Sequence, residues 1–190
     1  MKKIIPYILC ISSLTLSSSS NPYQVSDLEW HVLRYGINET LPLHPNSKER
    51  MSVQDFYLLD EFDDIHWYLK DTIKFSEKIE AQYFEHNRFM NKKKLMLPEA
   101  SQVKMITPSS IDSIADVTSG GSGFWELFNK TFEKAGYLEI TRPKISINQT
   151  DAFFCYGYSY GSRQGERLKI WLKKKNSNWF LYRKELISTQ

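Results

Sequence analysis

Cysteine is nearly absent from this 190-residue chain: there are two, Cys10 and Cys155, far apart in the sequence. A disulfide framework is therefore excluded as the source of stability, and so is a zinc site built on paired cysteines. The four histidines, His31, His44, His66 and His86, include no closely spaced pair, and no H-E-x-x-H run occurs. No G-x-S-x-G elbow surrounds Ser159 or Ser162. Gly120-Gly121-Ser122-Gly123 lacks the Lys-[ST] ending that would make it a phosphate loop, and it reads as a hinge. Long apolar runs are missing too. The best one, Ile4 to Leu16, is interrupted by Pro6, Ser12 and Ser13 and is too short to span a bilayer comfortably.

That run has another meaning. Lys2-Lys3, the apolar stretch and Ser17-Ser18-Ser19-Ser20 follow the order of a secretory leader: charged region, apolar region, small-residue cleavage zone. The expectation is a signal peptide over 1–20 and a single domain over 21–190, exported to the periplasm or beyond, with membrane contact only through the leader before cleavage. Cys10, preceded by the bulky Tyr7-Ile8-Leu9, leaves with the leader rather than carrying lipid. Cys155, alone between Phe154 and Tyr156, is a small apolar filler with no neighbouring base. Removing Lys2 and Lys3 lowers the formal charge from +3 to +1, so the pI of 8.7 is no argument for a nucleic-acid partner. With 41% hydrophobic and 25% charged residues the composition is that of a folded globular chain.

The last third is the most regular part. Phe124, Phe128 and Phe132 recur every four residues, with Trp125 and Leu127 widening the stripe, which predicts a helix from Ser122 to Ala135, stopped by a left-handed Gly136. Beyond Gly136 the period becomes two. Leu138 and Ile140 differ in parity from Ile145 and Ile147, so the strand must be re-phased at Arg142-Pro143. A second strand alternates Phe154, Tyr156 and Tyr158 with Phe153, Cys155 and Gly157. A third sets Leu168, Ile170 and Leu172 against Arg167, Lys169 and Trp171, and Trp179 to Ile187 closes the meander. A loop of three or five residues after the second strand turns the tyrosine row inward, three placing Tyr158 opposite Leu168, whereas four would bring Phe153, Cys155 and Gly157 to the core face; the odd loop is expected because it pairs large apolar residues with one another.

Upstream, Ser52-Val53-Gln54-Asp55 resembles a helix start, and Leu58, Phe62, Ile65, Leu69 and Ile73 follow at helical spacing, predicting a second helix. Leu28, Val32 and Tyr35 allow a short helix before it. Val103 to Ile106 reads as a strand, and Thr107-Pro108 as the cap and first residue of a small helix with Ile111, Ile114 and Ala115 inward. The whole is an α+β chain with helices packed on one face of a four-stranded or slightly larger antiparallel sheet, cystatin-like or NTF2-like by analogy only. The succession Val103-Lys104-Met105-Ile106, Phe124-Trp125-Glu126-Leu127-Phe128, Gly136, Leu138-Glu139-Ile140, Asp151-Ala152 and Lys174-Lys175-Asn176-Ser177-Asn178-Trp179 resembles a group of small exported bacterial proteins, common in Bacteroidota-like genomes, without assigned activity. The resemblance covers roughly residues 103–187, implies architecture and export, and carries over no active site. The chain departs from it at Thr141-Arg142-Pro143 and in the aromatics of the second strand.

Candidate chemistry is sparse, and no cofactor is expected. Trp171 with Lys169, Arg167 and Arg163 on a wet sheet face is a candidate surface for a glycan or a partner protein, unless a helix covers it. Asp63 and His66, three apart on the second predicted helix, with Glu85 or His86, are the candidate metal ligands; with a further carboxylate they would make an exported hydrolase. Residues 51–85 hold nine acidic side chains against three basic ones, whereas 101–190 hold thirteen basic against eight acidic. The acidic stretch suits an immunity protein or inhibitor that meets a charged partner. The leading expectation is a non-catalytic binding module of the cell envelope.

Overall fold

A computed structural model describes residues 23–44, 47–68, 78–90, 92–118, 121–161 and 164–189. The expected leader, Leu69 and Ile73 of the predicted second helix, and Arg163 lie outside the described residues. Helix α1 (Asp27–Thr40) starts on a capping box: Ser26 Oγ accepts the Glu29 N–H, and the Glu29 carboxylate accepts the Ser26 N–H at 2.8 Å. Strand β1 (Phe56–Phe62) follows a single 3-10 turn, Val53–Asp55. After another 3-10 turn, Ile65–Tyr68, come α2 (Lys78–Asn87), β2 (Met105–Ile106), α3 (Pro108–Thr118) and α4 (Gly121–Thr131). The meander is β3 (Gly136–Ile140), β4 (Lys144–Ile145), β5 (Asp151–Ser159), β6 (Gly165–Lys175) and β7 (Asn178–Thr189).

These strands form one seven-stranded sheet in the order β2-β1-β3-β5-β6-β7, with β4 paired to β5. The α+β class holds, and the sheet is antiparallel except at β1, which runs parallel to both β2 and β3. Helices cover both faces rather than the single face expected, because the strands carry apolar residues at both parities. α1 lies over Phe56, Leu58, Leu138, Phe154, Tyr156 and Ile170. On the opposite face α3 and α4 cover Tyr57, Leu59 and Tyr137, while α2 and the Ile65–Tyr68 turn cover Phe153, Cys155 and Trp171. Alternation along each strand sends odd and even residues to the two layers.

This two-sided burial explains the one large departure from the sequence expectation. Residues 56–62 are strand, not helix. The helix-start signal at Ser52 is real, with the Ser52 N–H held by Asp55 Oδ2 at 2.7 Å, but it nucleates only one 3-10 turn. Phe56-Tyr57-Leu58-Leu59 then supplies an apolar residue to each layer in turn, as interior parallel strands do, and such a run has no period of two to betray it.

The C-terminal expectations fare better. α3 begins at Pro108 with Thr107 Oγ1 accepting the Ser110 N–H at 3.2 Å, and Ile114 is buried. Re-phasing occurs at 141–143 as the parity required. There the Cys155 carbonyl accepts both the Thr141 N–H (3.1 Å) and the Thr141 hydroxyl (2.7 Å), and that hydroxyl in turn accepts the Cys155 N–H (3.0 Å). Ser159 pairs with Gly165, so the β5–β6 loop has five residues. Tyr156 faces Leu168 and Phe154 faces Ile170, two positions from the three-residue register but with the same parity. The aromatic row therefore faces α1, where Tyr156 Oη meets Thr40 Oγ1 at 2.8 Å. α4 stops at Thr131, short of the predicted Ala135, and Gly136 is the first residue of β3 with no left-handed conformation.

Candidate functional site

A row of three residues crosses β3, β5 and β6: Glu139 pairs with Gly157, and Gly157 with Arg167. Their side chains share the face opposite α1, in the gap between the α3–α4 layer and the α2 layer. The glycine is what makes the site. With no side chain between them, Arg167 Nη2 reaches over the middle strand and donates to Glu139 Oε2 at 2.9 Å. A Cβ on Gly157 would stand 3.2 Å from Arg167 Cγ, 3.3 Å from Glu139 Oε2 and 3.6 Å from the Tyr68 hydroxyl.

Asp63 enters from the end of β1. Its N–H donates to the Ile140 carbonyl at 2.8 Å, which pins the loop to β3. Its carboxylate accepts the Tyr68 hydroxyl and the Asp64 N–H, each at 2.7 Å. Two acids thus answer to one guanidinium in a partly dehydrated gap, the side chains of Glu139 and Arg167 keeping only 18% and 15% of their exposure. Burial, and after it the Asp63 charge, push the Glu139 carboxyl from 4.5 up to about 7 against the opposing pull of Arg167. Burial also raises Asp63, opposed by the Tyr68 hydrogen bond and Arg167. Burial drives the Tyr68 phenol well above its ordinary value, so Tyr68 remains a hydrogen-bond donor. The cluster can hold a proton near neutrality and exchange it, the property that acid–base sites require.

The residues singled out from sequence are dispersed otherwise. Trp171 is 2% exposed: α2 covers it, and its indole N–H donates to Glu80 Oε1 at 2.8 Å. The expectation of an exposed tryptophan on a wet face is corrected, because that face belongs to a second helix layer. Lys169 pairs with Glu185 at 3.3 Å at the margin of this layer, and Arg167 is committed to Glu139. Asp63 and His66 share no helix. Glu85 is exposed beside Arg88 on α2, and His86 lies on α2, its pKa lowered by burial and by Arg142 and Lys144. No group of three or more His, Cys, Asp or Glu placed to hold a metal ion occurs among the described residues. Glu139, Gly157 and Tyr68 were not singled out by the sequence. The available signal was Gly157 itself, a lone glycine inside an aromatic strand, which marks a close approach.

The Trp171–Glu80 hydrogen bond yields a direct expectation. Glu80→Leu leaves a buried indole N–H without this acceptor, and urea denaturation should show a loss of about 1–3 kcal/mol. An unchanged midpoint would mean that the bond contributes nothing to holding α2.

No protein-family model, curated protein or solved structure matches the chain.

Proposed function

We propose that the chain is a non-catalytic binding module of the cell envelope, and that it holds an acidic partner, protein or glycan, along the β6–β7 hairpin. One observation carries this reading: two exposed aromatic rings, Phe180 and Tyr182, stand beside Lys173 on the β6–β7 hairpin at the end of the sheet. Phe180 and Tyr182 are 39% and 50% exposed, large apolar surface that a monomer rarely leaves in one place without use. Lys173 Nζ lies 3.7 Å from the centre of the exposed Tyr182 ring, and Phe180 is the cross-strand partner of Lys173. Residues 167–189 contain seven basic side chains and one acidic one. Flat rings bordered by ammonium groups suit the faces of sugars and the aromatic or carboxylate groups of an extended peptide. The envelope address rests on the leader-like residues 1–20 and on the resemblance to exported bacterial proteins.

Thermal-shift and calorimetric titration of the protein with acidic and neutral oligosaccharides and acidic peptides tests the reading. Binding to the acidic members is expected, weakening as salt screens the strip. Tyr182→Ala should weaken it by about tenfold or more. Binding indifferent to salt and to Tyr182, or none to any acidic member, overturns the proposal.

A second reading, an exported hydrolase, is favoured by the convergence of Asp63 with Glu139 beside Arg167. Burial keeps Glu139 protonated toward neutrality, as a general acid must be. Turnover of glycosides or esters that vanishes in Glu139→Gln would establish this reading and overturn the first.

A further inference from the structure

Asp63, Tyr68, Glu139 and Arg167 join three separate parts of the chain. Arg167 and Glu139 are anchored in the sheet, with Gly157 between them. Tyr68 closes the Ile65–Tyr68 turn, whose Ile65 and Tyr68 side chains are buried over Phe153 and Cys155. Asp63 is the link, because one of its oxygens takes the Tyr68 hydroxyl while its charge faces the same guanidinium that Glu139 uses. Among the described residues the stoichiometry is unbalanced: one guanidinium answers to two carboxyl groups.

We propose that Asp63 and Glu139 form a proton-operated clamp: one proton held by the pair lets Arg167 neutralise the gap and fastens the Ile65–Tyr68 turn to the sheet, and release of that proton to solvent loosens the turn. With the proton present, one carboxylate faces one guanidinium and the Tyr68–Asp63 hydrogen bond is undisturbed. Without it, two negative charges are confined in a gap of low polarity, and opening toward water relieves both their repulsion and their dehydration. Among the described residues, the other groups facing the pair leave Arg167 as the cation that neutralises it. They are Asp64 beside Asp63, Tyr137 on β3, Cys155 on β5 and Tyr83 on α2, all acidic or neutral, and Lys169, the next residue on this face of β6, which stands beside Cys155 and is paired with Glu185 at 3.3 Å. The clamp acts whether or not the site turns over a substrate, and it is independent of the β6–β7 strip.

The sign is determined by the direction of the shift. The closed form binds protons more tightly than the open form, so protons favour closure. The stabilisation is complete below the ordinary carboxylate value of 4.5 and is lost as pH climbs through about 7. Amide hydrogen exchange on the full-length protein, corrected for the intrinsic effect of pH on exchange, reads the turn directly. Protection of residues 65–68 is expected to fall about tenfold between roughly pH 5.5 and 7.5. Glu139→Gln should abolish this dependence. Asp63→Asn removes the like charge and should move the fall to lower pH, which keeps the test alive if Glu139→Gln does not fold. Equal corrected protection at both pH values, or a wild-type response in Glu139→Gln, overturns the proposal.

Discussion

Gly136→Ala is expected to destabilise the protein by about 3 kcal/mol or more, enough to leave much of a marginally stable chain unfolded. A Cβ at this position would collide with the carbonyl oxygen of Ser159, and its next neighbours are the Ser159 carbonyl carbon and Tyr160 Cβ, each at 3.0 Å. The obstacle is backbone. Ser159 is tied into the sheet on both sides, paired with Tyr137 and with Gly165, so it cannot retreat without breaking the β3–β5 or the β5–β6 ladder. Gly136 also pairs in parallel with Phe56, so β3 cannot withdraw the other way. Thermal or urea denaturation checks the expectation, and a loss below about 1 kcal/mol would show that the strands meet less closely than described. The sequence offered a different reason for this glycine, the stop of a helix. That helix ends at Thr131, and the requirement for glycine comes from the neighbouring strand instead.

Phe154→Ala should cost about 3–5 kcal/mol, the range for emptying a buried phenylalanine site. Phe154 is wholly buried beneath α1, and the helix comes so close there that Gly36 rests on the ring. A Cβ on Gly36 would lie 2.7 and 2.9 Å from two ring carbons and 3.2 Å from Ile170 Cγ2. Gly36→Ala by itself should therefore destabilise by about 1–3 kcal/mol through overpacking. Once Phe154 is alanine both ring contacts are gone, Ile170 Cγ2 at 3.2 Å can give way into the emptied space, and the helix gains the roughly 1 kcal/mol preference of alanine over glycine. The same substitution should then stabilise. A double-mutant cycle in urea measures this reversal, and additive effects would mean that the ring yields freely to the helix.

Much of the C-terminal half was legible because its signals are local. The Phe124-Phe128 stripe, the Thr107-Pro108 cap and the alternation through Phe154, Tyr156 and Tyr158 each depend on residues a few positions apart, and the structure contains all three. Helix α1 was only half seen, although Ser26 and Glu29 carry the spacing of a capping box. The candidate site was read in fragments. Asp63 and Arg167 were both singled out, but for different sites, and Glu139 passed as one residue of an apolar strand.

Composition, capping residues and periodicity by themselves determined that this is an α+β protein, where its last strands run, and which side of β5 its tyrosines take. Tertiary structure alone decided that Phe56–Phe62 is an interior strand, that Trp171 lies under a helix, and that Asp63, Glu139 and Arg167 share one gap. The physical reason is common to all three. Each depends on what covers the second face of a strand and on which strands are neighbours, and a parallel partner brought from far along the chain leaves no periodic trace in the residues it will meet.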